Sequence, residues 1–478
     1  MGVTSEASTP DMNIARLIED PRLNRDLEAL AARIREPEHA VSDIVDAAGH
    51  QYVDLVMEGG GLLGIALVGY TWALEQMGLR FLGVGGTSAG SINALLLAGL
   101  DDPERPKSPK LLAALARQDF YEFVDGGRDV RDLIDLALND QPASPFKVLR
   151  LAARFFAVKD RVTRHYGLNP GHRFLHWLGE LLRAEGIATA ADLDARLARR
   201  PTGLAHRGDQ PFTDADENVP NARLVIIAAD VWSETRVELP AMAELYWDDP
   251  SAVNPALFAR ASMSIPFFFE PLRIEPLPTG AGAWERWNRH AGLYREQSSN
   301  GQPPDRALFV DGGILSNFPI NAFHVSDRTP RMPTFGVKLQ YDNRVDITRA
   351  YRGDSGFSGI GAFSGMLLNS ARHQLDFEFI RRNPDYKHLV QYIPCVREYP
   401  SGRQEPIDWI DFNLPDEDKA LLFRQGAEKA IEFVHAFSSP VDADGKQVAK
   451  PEKEDFSSKW AFYKALRERI ANAVKPGD

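Results

Sequence analysis

The sequence predicts an α/β protein whose central sheet is mainly parallel, lies between helices and carries a helical insertion. Two observations support this fold class. An apolar run of strand length, Tyr52 to Met57, leads through a glycine turn into a helix-forming run that stops near Gly78. The same order of strand, glycine turn and helix follows from Arg80 to Leu100. Repeated units of this kind build parallel sheets with both faces covered by helices.

The first glycine turn has the sequence Glu58-Gly59-Gly60-Gly61-Leu62-Leu63-Gly64. Gly59, Gly61 and Gly64 fit the G-x-G-x-x-G spacing of a dinucleotide-binding loop. That kind of site also needs an acidic residue at the end of the next strand, where the acid binds a ribose hydroxyl. Here the next strand ends in Gly85-Gly86-Thr87-Ser88 instead. The sequence therefore argues against a nucleotide site.

The second turn, Gly86-Thr87-Ser88-Ala89-Gly90, has the G-x-S-x-G pattern of a serine nucleophile. Its glycines permit a tight, strained turn that lifts the Ser88 hydroxyl above the sheet. The amides of Gly59 to Gly61, one unit earlier, can face an oxyanion that develops beside this serine. Either turn alone could be an ordinary connection between a strand and a helix. Together the two turns predict Ser88 as a nucleophile with an oxyanion hole.

A serine hydroxyl needs a base, and the best candidate lies far downstream. In Leu308-Phe309-Val310-Asp311-Gly312-Gly313 an apolar run delivers Asp311 onto a glycine turn. The end of a strand before such a turn is a place where catalytic carboxylates lie. In isolation an Asp-Gly pair is more often a plain turn. We interpret Asp311 as the base because Ser88 requires one.

The glycine turn that starts at Glu58, the serine turn around Ser88 and Asp311-Gly312-Gly313, in this order, resemble the patatin-like phospholipase family. The stretch Ala259-Arg260-Ala261-Ser262-Met263-Ser264-Ile265-Pro266 is similar to the family's segment shortly before its aspartate. The resemblance spans roughly Tyr52 to Gln340, with long insertions. It implies a patatin-like three-layer α/β/α sandwich.

The resemblance also implies a chemistry, in which a Ser-Asp dyad without a histidine hydrolyses acyl esters of lipids. By motif position, Ser88 is the nucleophile and Asp311 is the base. The family often has Arg or Lys where this chain has Leu63, so this sequence departs from the family at a position where a cation would stand. No metal or other cofactor is implied. The glycines that would form the oxyanion hole are Gly59, Gly60, Gly61 and Gly64.

Two alternatives to this dyad remain open. An α/β-hydrolase triad in the chain order Ser, Asp, His would add a later histidine, such as His324 or His373, to Ser88 and Asp311. A non-catalytic lipid-binding or scaffold protein of the same fold would keep the architecture without turnover. The expected activity is hydrolysis of a carboxylic ester bond of a lipid, with phospholipid or lysophospholipid as the substrate.

Length and local composition divide the 478 residues into three parts. Residues 1–50 are predicted to form a helical N-terminal leader, and residues 51–345 the acyl-hydrolase domain. A helical insertion interrupts this domain at about residues 103–220. Residues 346–478 are predicted to form a mainly helical C-terminal extension. This division is expected because a chain of this length exceeds one typical core.

Charge and cysteine content exclude several classes of site. The formal net charge of −12 argues against nucleic-acid binding, since no overall positive field would neutralise phosphates. The single cysteine, Cys395, rules out an intramolecular disulfide and a cysteine-based zinc site. Apolar runs are too short to span a membrane, and the polar N-terminus does not resemble a signal peptide. We expect a cytoplasmic protein, any membrane contact of which is peripheral, and the sequence carries no signal for an oligomeric state.

Two stretches predict contact with lipid. Phe267, Phe268 and Phe269 would either line an acyl groove or fill the core. From Lys147 to Tyr166, a helical period places apolar side chains on one face and basic side chains on the other. This helix is either buried along its apolar stripe or docks on anionic lipid at a membrane interface. The basic residues of that face are Lys147, Arg150, Arg154, Arg161 and Arg164.

Overall fold

The computed structural model describes residues 18–116, 118–138, 158–213, 219–297, 300–326, 328–340, 372, 374–441 and 457–474. Ten strands of this part of the chain form one mixed sheet, and short two-stranded ladders lie outside it. The strands are Ile44–Val45 (β1), Gln51–Met57 (β2), Leu79–Thr87 (β3), Gly167–Asn169 (β4), Ala205–His206 (β5), Arg223–Asp230 (β6), Thr235–Leu239 (β7), Phe267–Phe269 (β8), Leu272–Ile274 (β9), Ala307–Asp311 (β10), Thr334–Leu339 (β11), Val390–Ile393 (β12), Val396–Glu398 (β13), Gln404–Pro406 (β14), Pro440–Val441 (β15) and Ser457–Ser458 (β16).

Helices cover the sheet and extend beyond it. Two further helical stretches are residues 158–165 and 374–382. The labelled helices are Pro21–Arg33 (α1), Gly64–Gln76 (α2), Ala89–Gly99 (α3), Ser108–Ala116 (α4), Arg128–Leu138 (α5), His172–Ala184 (α6), Ala190–Leu197 (α7), Ala256–Ser262 (α8), Ala283–Ala291 (α9), Asp416–Phe437 (α10) and Lys459–Val474 (α11).

The sheet is parallel at its centre and antiparallel towards one edge. Parallel ladders join β12 to β11, β11 to β2, β2 to β3 and β3 to β6. Beyond β6, strand β10 pairs antiparallel with both β6 and β9, and β7 pairs antiparallel with β6. A mainly parallel sheet with flanking helices confirms the predicted fold class. Because β2 and β3 are parallel neighbours, the two glycine-rich turns that follow them lie at the same end of the sheet.

The strands and helices next to these turns are buried on all sides. All seven residues of β2 are buried, which explains why most of them are apolar. The buried carboxylate of Asp54 accepts the Gly83 amide at 2.8 Å. Helix α2 is buried from Gly64 to Glu75 and therefore has no polar face. Helix α3 is almost as completely buried, because α4, α7 and α8 pack around it on the side away from the sheet.

Helix α10 packs on α2 at a crossing that depends on two glycines. A methyl group at Gly426 of α10 would clash with the carbonyl oxygen of Ala66. A methyl group at Gly69 of α2 would clash in the same way with the carbonyl oxygen of Phe423. The two backbones can approach this closely only because both positions lack a Cβ atom. The helix that starts at the first glycine turn is thus held in place by the C-terminal part of the chain.

The predicted three-part division stays a proposal. Helices α4 to α7, together with residues 158–165, occupy the stretch assigned to the insertion. Strand β12 and helix α10 come from beyond residue 345, yet β12 belongs to the central sheet and α10 packs on α2. The C-terminal stretch therefore contributes directly to the layers that surround the two glycine turns.

The predicted basic helix is only partly visible. Lys147, Arg150 and Arg154 lie outside the described residues. Arg161 and Arg164 lie on the described helix at 158–165. Tyr166, expected on the apolar face, follows the helix with a φ of 60° and is 50% exposed, so that part of the expectation is wrong. Over the described ranges, every helix is too short or too polar to cross a membrane.

The helix crossing generates a stability prediction. Gly426→Ala should lower the free energy of unfolding by about 1–3 kcal/mol, because an added methyl group would force the two helices apart. Helix propensity alone would have the opposite effect, since alanine is favoured over glycine inside a helix by about 1 kcal/mol. Gly280→Ala is the matched control, because open space surrounds that glycine. Chemical denaturation measures both variants, and a Gly426→Ala protein at least as stable as the parent would contradict the crossing.

Candidate active site

Ser88 stands in a strained turn between β3 and α3. Strand β3 ends at Thr87 and helix α3 begins at Ala89. Ser88 itself has φ 51° and ψ −120°, a backbone conformation that residues other than glycine rarely adopt. Its backbone amide donates to the Ser262 hydroxyl at 2.9 Å, and that hydroxyl donates to the Ile227 carbonyl at 2.6 Å. The unusual conformation is therefore fixed by hydrogen bonds from outside the turn.

Asp311 ends β10 and contacts Ser88. Its carboxylate accepts the Gly313 amide at 2.7 Å, and the Ser88 hydroxyl lies near enough to act on the pKa of Asp311 as a hydrogen-bond donor. Burial raises the pKa of Asp311, while the positive charge of Arg372 and these hydrogen bonds act against the rise. The structure thus brings together the two residues that the sequence selected, although they are far apart in the chain.

The stretch from Ala259 to Pro266 supports both members of this pair. Ser262 accepts the Ser88 amide, as described above, and the Ser264 carbonyl accepts the Asp311 amide at 2.8 Å. The Ser264 hydroxyl donates back to the Arg260 carbonyl at 2.7 Å and accepts a hydrogen bond from the Arg260 side chain. This stretch positions the backbones on both sides of the Ser88–Asp311 contact.

The first glycine turn packs against the turn around Ser88, residues 86–90, which we call the nucleophile turn. A Cβ atom at Gly59 would lie 3.0 Å from the Ser88 Cβ atom, tighter than ordinary contact between side chains. Close approach of the two turns therefore requires glycine at this position. Leu63, where the resemblance suggested a cation, is fully buried instead.

Only part of this turn can donate to an oxyanion. The Gly59 amide donates to the Asn317 carbonyl at 3.0 Å, and the Gly64 amide donates to carbonyls within its own turn. The expectation that all four glycines donate is thus corrected, because two of the amides already have acceptors. The amides of Gly60 and Gly61 have no acceptor among the described residues. These two amides are the remaining candidates for an oxyanion hole.

An apolar cavity opens beside Ser88. Its walls come from the glycine turn, from α3 and from α4 and α6, so helices of the stretch assigned to the insertion cover it. Polar groups contribute almost nothing to its surface, which suits a hydrocarbon chain. The residues that line it are Gly61, Leu62, Gly64, Ile65, Ser88, Ala89, Ile92, Asn93, Leu111, Leu115, Phe120, Phe123, Phe174, Trp177, Met263, Ile265, Phe269 and Phe412.

The three consecutive phenylalanines divide between cavity, wall and surface. Phe269 is buried and lines the cavity. Phe268 stacks on Phe412, another residue of the lining, with ring centroids 4.8 Å apart. Phe267 is 65% exposed with a φ of 67°, so its expected place in the groove is wrong. A regular strand would place Phe267 and Phe269 on the same face. The positive φ of Phe267 departs from strand geometry and accompanies the exposure of its side chain.

The histidine of the alternative triad is engaged elsewhere. Nδ1 of His324 lies 2.9 Å from the Tyr386 hydroxyl, and Nε2 lies 3.0 Å from Nη2 of Arg467. Burial and the charge of Arg467 lower the pKa of His324 to about 4. Both ring nitrogens thus have partners other than Asp311. His373 lies outside the described residues.

The sequence did not single out Asn317 or Arg372, which both contact the glycine turn. The Asn317 side chain donates to the Gly59 carbonyl at 3.0 Å. Nη2 of Arg372 donates to Oδ1 of Asn317 at 2.6 Å and to the Gly59 carbonyl at 3.4 Å. Asn317 lies six residues after Asp311, outside any motif, and Arg372 lies far downstream. Local pattern carries no signal for such long-range contacts.

Comparison with known proteins places these features in a family. A family model described as patatin-like phospholipase matches residues 55–324, more than half of the chain. YqhO, an uncharacterized protein of Bacillus subtilis (strain 168), is 30% identical over 385 residues, which cover 80% of this chain and 98% of YqhO.

Two solved structures are more distantly similar. VipD from Legionella pneumophila shares 15% identity with a TM-score of 0.35, covering 83% of this chain and 70% of VipD. The ExoU–SpcU complex from the type III secretion system of Pseudomonas aeruginosa shares 16% identity with a TM-score of 0.32, covering 88% of this chain and 59% of that chain. On the extent of the family match and the similarity to YqhO, this chain belongs to the patatin-like phospholipase family.

Proposed function

We propose that this protein is a serine acyl-hydrolase that cleaves carboxylic ester bonds of lipids, with phospholipid or lysophospholipid as substrate. Family membership supports a lipid acyl hydrolase in general terms. The observation that carries the finer proposal is the strained turn that holds Ser88 beside both buried Asp311 and an apolar cavity. A nucleophile held in a strained turn and paired with a buried carboxylate is the arrangement that covalent catalysis requires.

In the proposed reaction Asp311 takes the proton of the Ser88 hydroxyl while the serine oxygen forms a bond to the ester carbonyl carbon. The carbonyl oxygen becomes an oxyanion, which accepts hydrogen bonds from the amides of Gly60 and Gly61. The bond to the leaving alcohol then breaks, and Asp311 returns the proton to that alcohol. Water attacks the acyl-enzyme, Asp311 takes a proton from the water, and the proton returns to Ser88 as the fatty acid leaves.

Burial suits Asp311 to this role. Removal from water destabilises the carboxylate, so its pKa rises and the ionised group becomes a stronger base. Ser88 and Asp311 are both buried, so protein groups rather than solvent surround most of their surface. Hydrogen bonds to a developing oxyanion are stronger in such surroundings than in water.

The cavity beside Ser88 would hold the acyl chain of the substrate. Its lining leaves no charged group for a polar head group, so the head group would lie on the other side of the scissile bond. Helices α4 and α6 would then limit how far an acyl chain extends. We infer that these helices contribute to the choice of chain length.

We also propose peripheral contact with anionic membranes, through a surface that we name the aromatic–basic patch: Arg164, Tyr166, Phe267 and Arg273. Strand β4 pairs with β8 beside it, bringing Gly167 opposite Phe267. The Arg273 guanidinium lies 5.4 Å from the centre of the Tyr166 ring and donates to the Arg164 carbonyl at 3.3 Å.

The composition of the aromatic–basic patch supports a bilayer as its partner. Half-exposed Tyr166 and largely exposed Phe267 offer rings that insert at the level of lipid head groups. The two arginines offer charge to anionic lipid, and Glu270, near His165, is an acidic neighbour. Phe267 lies two residues from Phe269 in the cavity wall, so a membrane bound here would adjoin the acyl cavity. The proposal also includes three basic residues that the sequence predicts on the same helix face and that lie outside the described residues: Lys147, Arg150 and Arg154.

The dyad generates the first prediction of activity. Ser88→Ala and Asp311→Asn should each reduce kcat/KM for a soluble short-chain ester by about 10³-fold or more, because nucleophile and base act as a unit. The double variant should be scarcely worse than either single variant. Steady-state kinetics and mapped labelling by a fluorophosphonate measure these effects. Additive losses, or near wild-type turnover by Asp311→Asn, would contradict the dyad.

Histidine variants separate the dyad from the alternative triad. His324→Ala and His373→Ala should retain activity to within a few fold once the amount of folded protein is matched. A loss of about 10³-fold in either variant is the size expected when a triad member is removed. Such a loss would favour an α/β-hydrolase mechanism instead.

The cavity generates a prediction about chain length. Leu115→Trp should reduce kcat/KM for a long-chain ester by about tenfold or more, because the larger side chain occupies space that the end of the acyl chain needs. An acetate ester should be hydrolysed at nearly the parent rate. Leu115→Met, which conserves volume, is the matched control. Equal losses on short and long chains would indicate that the cavity does not hold the acyl chain.

The aromatic–basic patch generates a prediction about membranes. Reversal of Arg164 and Arg273 to Glu should weaken binding to anionic vesicles at least tenfold, since each basic residue near such a surface contributes about 1 kcal/mol. Hydrolysis of a soluble ester should be unchanged, and 1 M salt should mimic the substitutions because it shortens screening to about 3 Å. Reversal of Arg403 and Arg424, exposed arginines of the C-terminal region, is the control of equal charge. Co-sedimentation with anionic vesicles measures the binding. Equal binding by the two double variants would contradict a role of the aromatic–basic patch in membrane contact.

A further inference from the structure

We propose that Arg372 and Asp376, beyond the residues matched by the family model, are positioning residues that hold the segment after Asp311 against the glycine turn and the nucleophile turn. This inference rests on the proposed function. We name residues 312–318 the base loop, and the contacts of Arg372 and Asp376 with it the clasp. Both side chains contact the base loop, Arg372 at Asn317 and Asp376 at Ser316.

The base loop follows Asp311 and contacts both the glycine turn and the nucleophile turn, so it joins the three parts of the site. The Thr87 hydroxyl, next to the nucleophile, donates to the Ser316 carbonyl at 2.9 Å. Asn317 pairs with Gly59 in both directions, because its carbonyl accepts the Gly59 amide and its side chain donates to the Gly59 carbonyl, each at 3.0 Å. A shift of residues 316–318 would therefore move Asp311, the glycine turn and the nucleophile turn relative to one another.

Asp376 holds this junction from the helix at 374–382. One carboxylate oxygen accepts the Ser316 hydroxyl and the other accepts the Phe318 amide, both at 2.8 Å. The side chain is 4% exposed, so its two hydrogen bonds are shielded from water. A buried carboxylate that accepts two hydrogen bonds from neighbouring residues fixes their relative position more firmly than an exposed one.

Arg372 adds a charge to the same junction. Its guanidinium donates to Oδ1 of Asn317 at 2.6 Å, which leaves the amide group of Asn317 to donate to Gly59. It also donates to the Gly59 carbonyl at 3.4 Å. Through these contacts Arg372 fixes the orientation of the Asn317 side chain. Gly59 precedes the two amides that the proposed mechanism assigns to the oxyanion, so the clasp supports that part of the site as well.

The charge of Arg372 also acts on the base. Three groups of the described residues act on the Asp311 carboxylate: the Ser88 hydroxyl, the Gly313 amide and Arg372. Of these three, Arg372 is the charged one. The field of Arg372 lowers the pKa of Asp311 against the larger effect of burial. Asp376 faces Lys338 and Glu58 instead, and burial raises its pKa to about 6. Arg372 therefore has an electrostatic effect on Asp311 that Asp376 does not share.

Substitution of the two residues, with a soluble short-chain ester over a range of pH, tests the clasp. Arg372→Gln should lower kcat tenfold or more with little change in KM. It should also move the acidic limb of the pH profile to higher pH, because loss of the nearby positive charge raises the pKa of Asp311, which must be ionised to act. Arg372→Lys should return the acidic limb most of the way to its position in the parent, because the ammonium group keeps the positive charge. It should recover less of kcat, because an ammonium group lacks the planar donor geometry of a guanidinium.

Asp376→Asn should lower kcat without moving the acidic limb, because it disturbs the junction but not the charge beside Asp311. Glu378→Gln is the matched control, since this carboxylate lies on the same helix and pairs with exposed Arg381 and Arg382. It should leave both kcat and the pH profile unchanged. Thermal unfolding of each variant verifies that the compared proteins are folded, and if Arg372→Gln does not fold, the Arg372→Lys profile decides.

An Arg372→Gln enzyme with the parent's kcat and pH profile would overturn the proposal, as would an equal effect of Glu378→Gln. An Arg372→Lys enzyme with the profile of Arg372→Gln would also overturn the electrostatic part. Failure of the underlying function has a different signature, because a parent protein without esterase activity and without fluorophosphonate labelling at Ser88 would contradict the dyad itself.

Discussion

A carboxylate shielded from water must still be ionised if it is to take a proton from a serine, and this constraint governs the surroundings of Asp311. Burial alone would favour the protonated acid. The hydrogen bonds from Ser88 and Gly313 and the charge of Arg372 favour the anion. In the proposed mechanism, the balance between these effects makes Asp311 a base that is both ionisable and stronger than an exposed aspartate. The strained turn at Ser88 and the close approach of the glycine turn place Ser88 beside Asp311.

The fold class and the Ser88–Asp311 pair could be predicted from the sequence because their signals are local. Glycines at fixed offsets from Ser88 and Asp311 mark turns at the ends of apolar strands, and parallel neighbours bring such turns together. The availability of the Gly59 amide could not be predicted, since its acceptor, Asn317, is set by tertiary structure. Strand alternation would place Phe267 and Phe269 on the same face, so the exposure of Phe267, whose φ is 67°, could not be predicted from the pattern. Arg372 lies in no recognisable motif, and its place beside Asn317 is set by tertiary structure that no local pattern encodes.

The C-terminal region does more than extend the domain. It supplies an edge strand to the sheet, a long helix that crosses α2 at two glycines, and the helix that bears Asp376. The long helix supports α2, which follows the glycine turn, and Asp376 supports the base loop. Family similarity over residues 55–324 therefore covers the reacting groups but not all of their support.

The pairing of β2 with β11 has a consequence for how the chain is made. Glu58, at the end of β2, accepts the amide of Leu339 at 2.7 Å, although 281 positions separate them in sequence. During translation, β2 leaves the ribosome long before β11 does, so the two strands cannot pair until late in synthesis. Closing so long a loop is also entropically costly. Until then one side of β2 is an open edge that can pair with other chains. Nascent chains of this enzyme should therefore depend on chaperones during synthesis more than those of proteins with locally paired sheets.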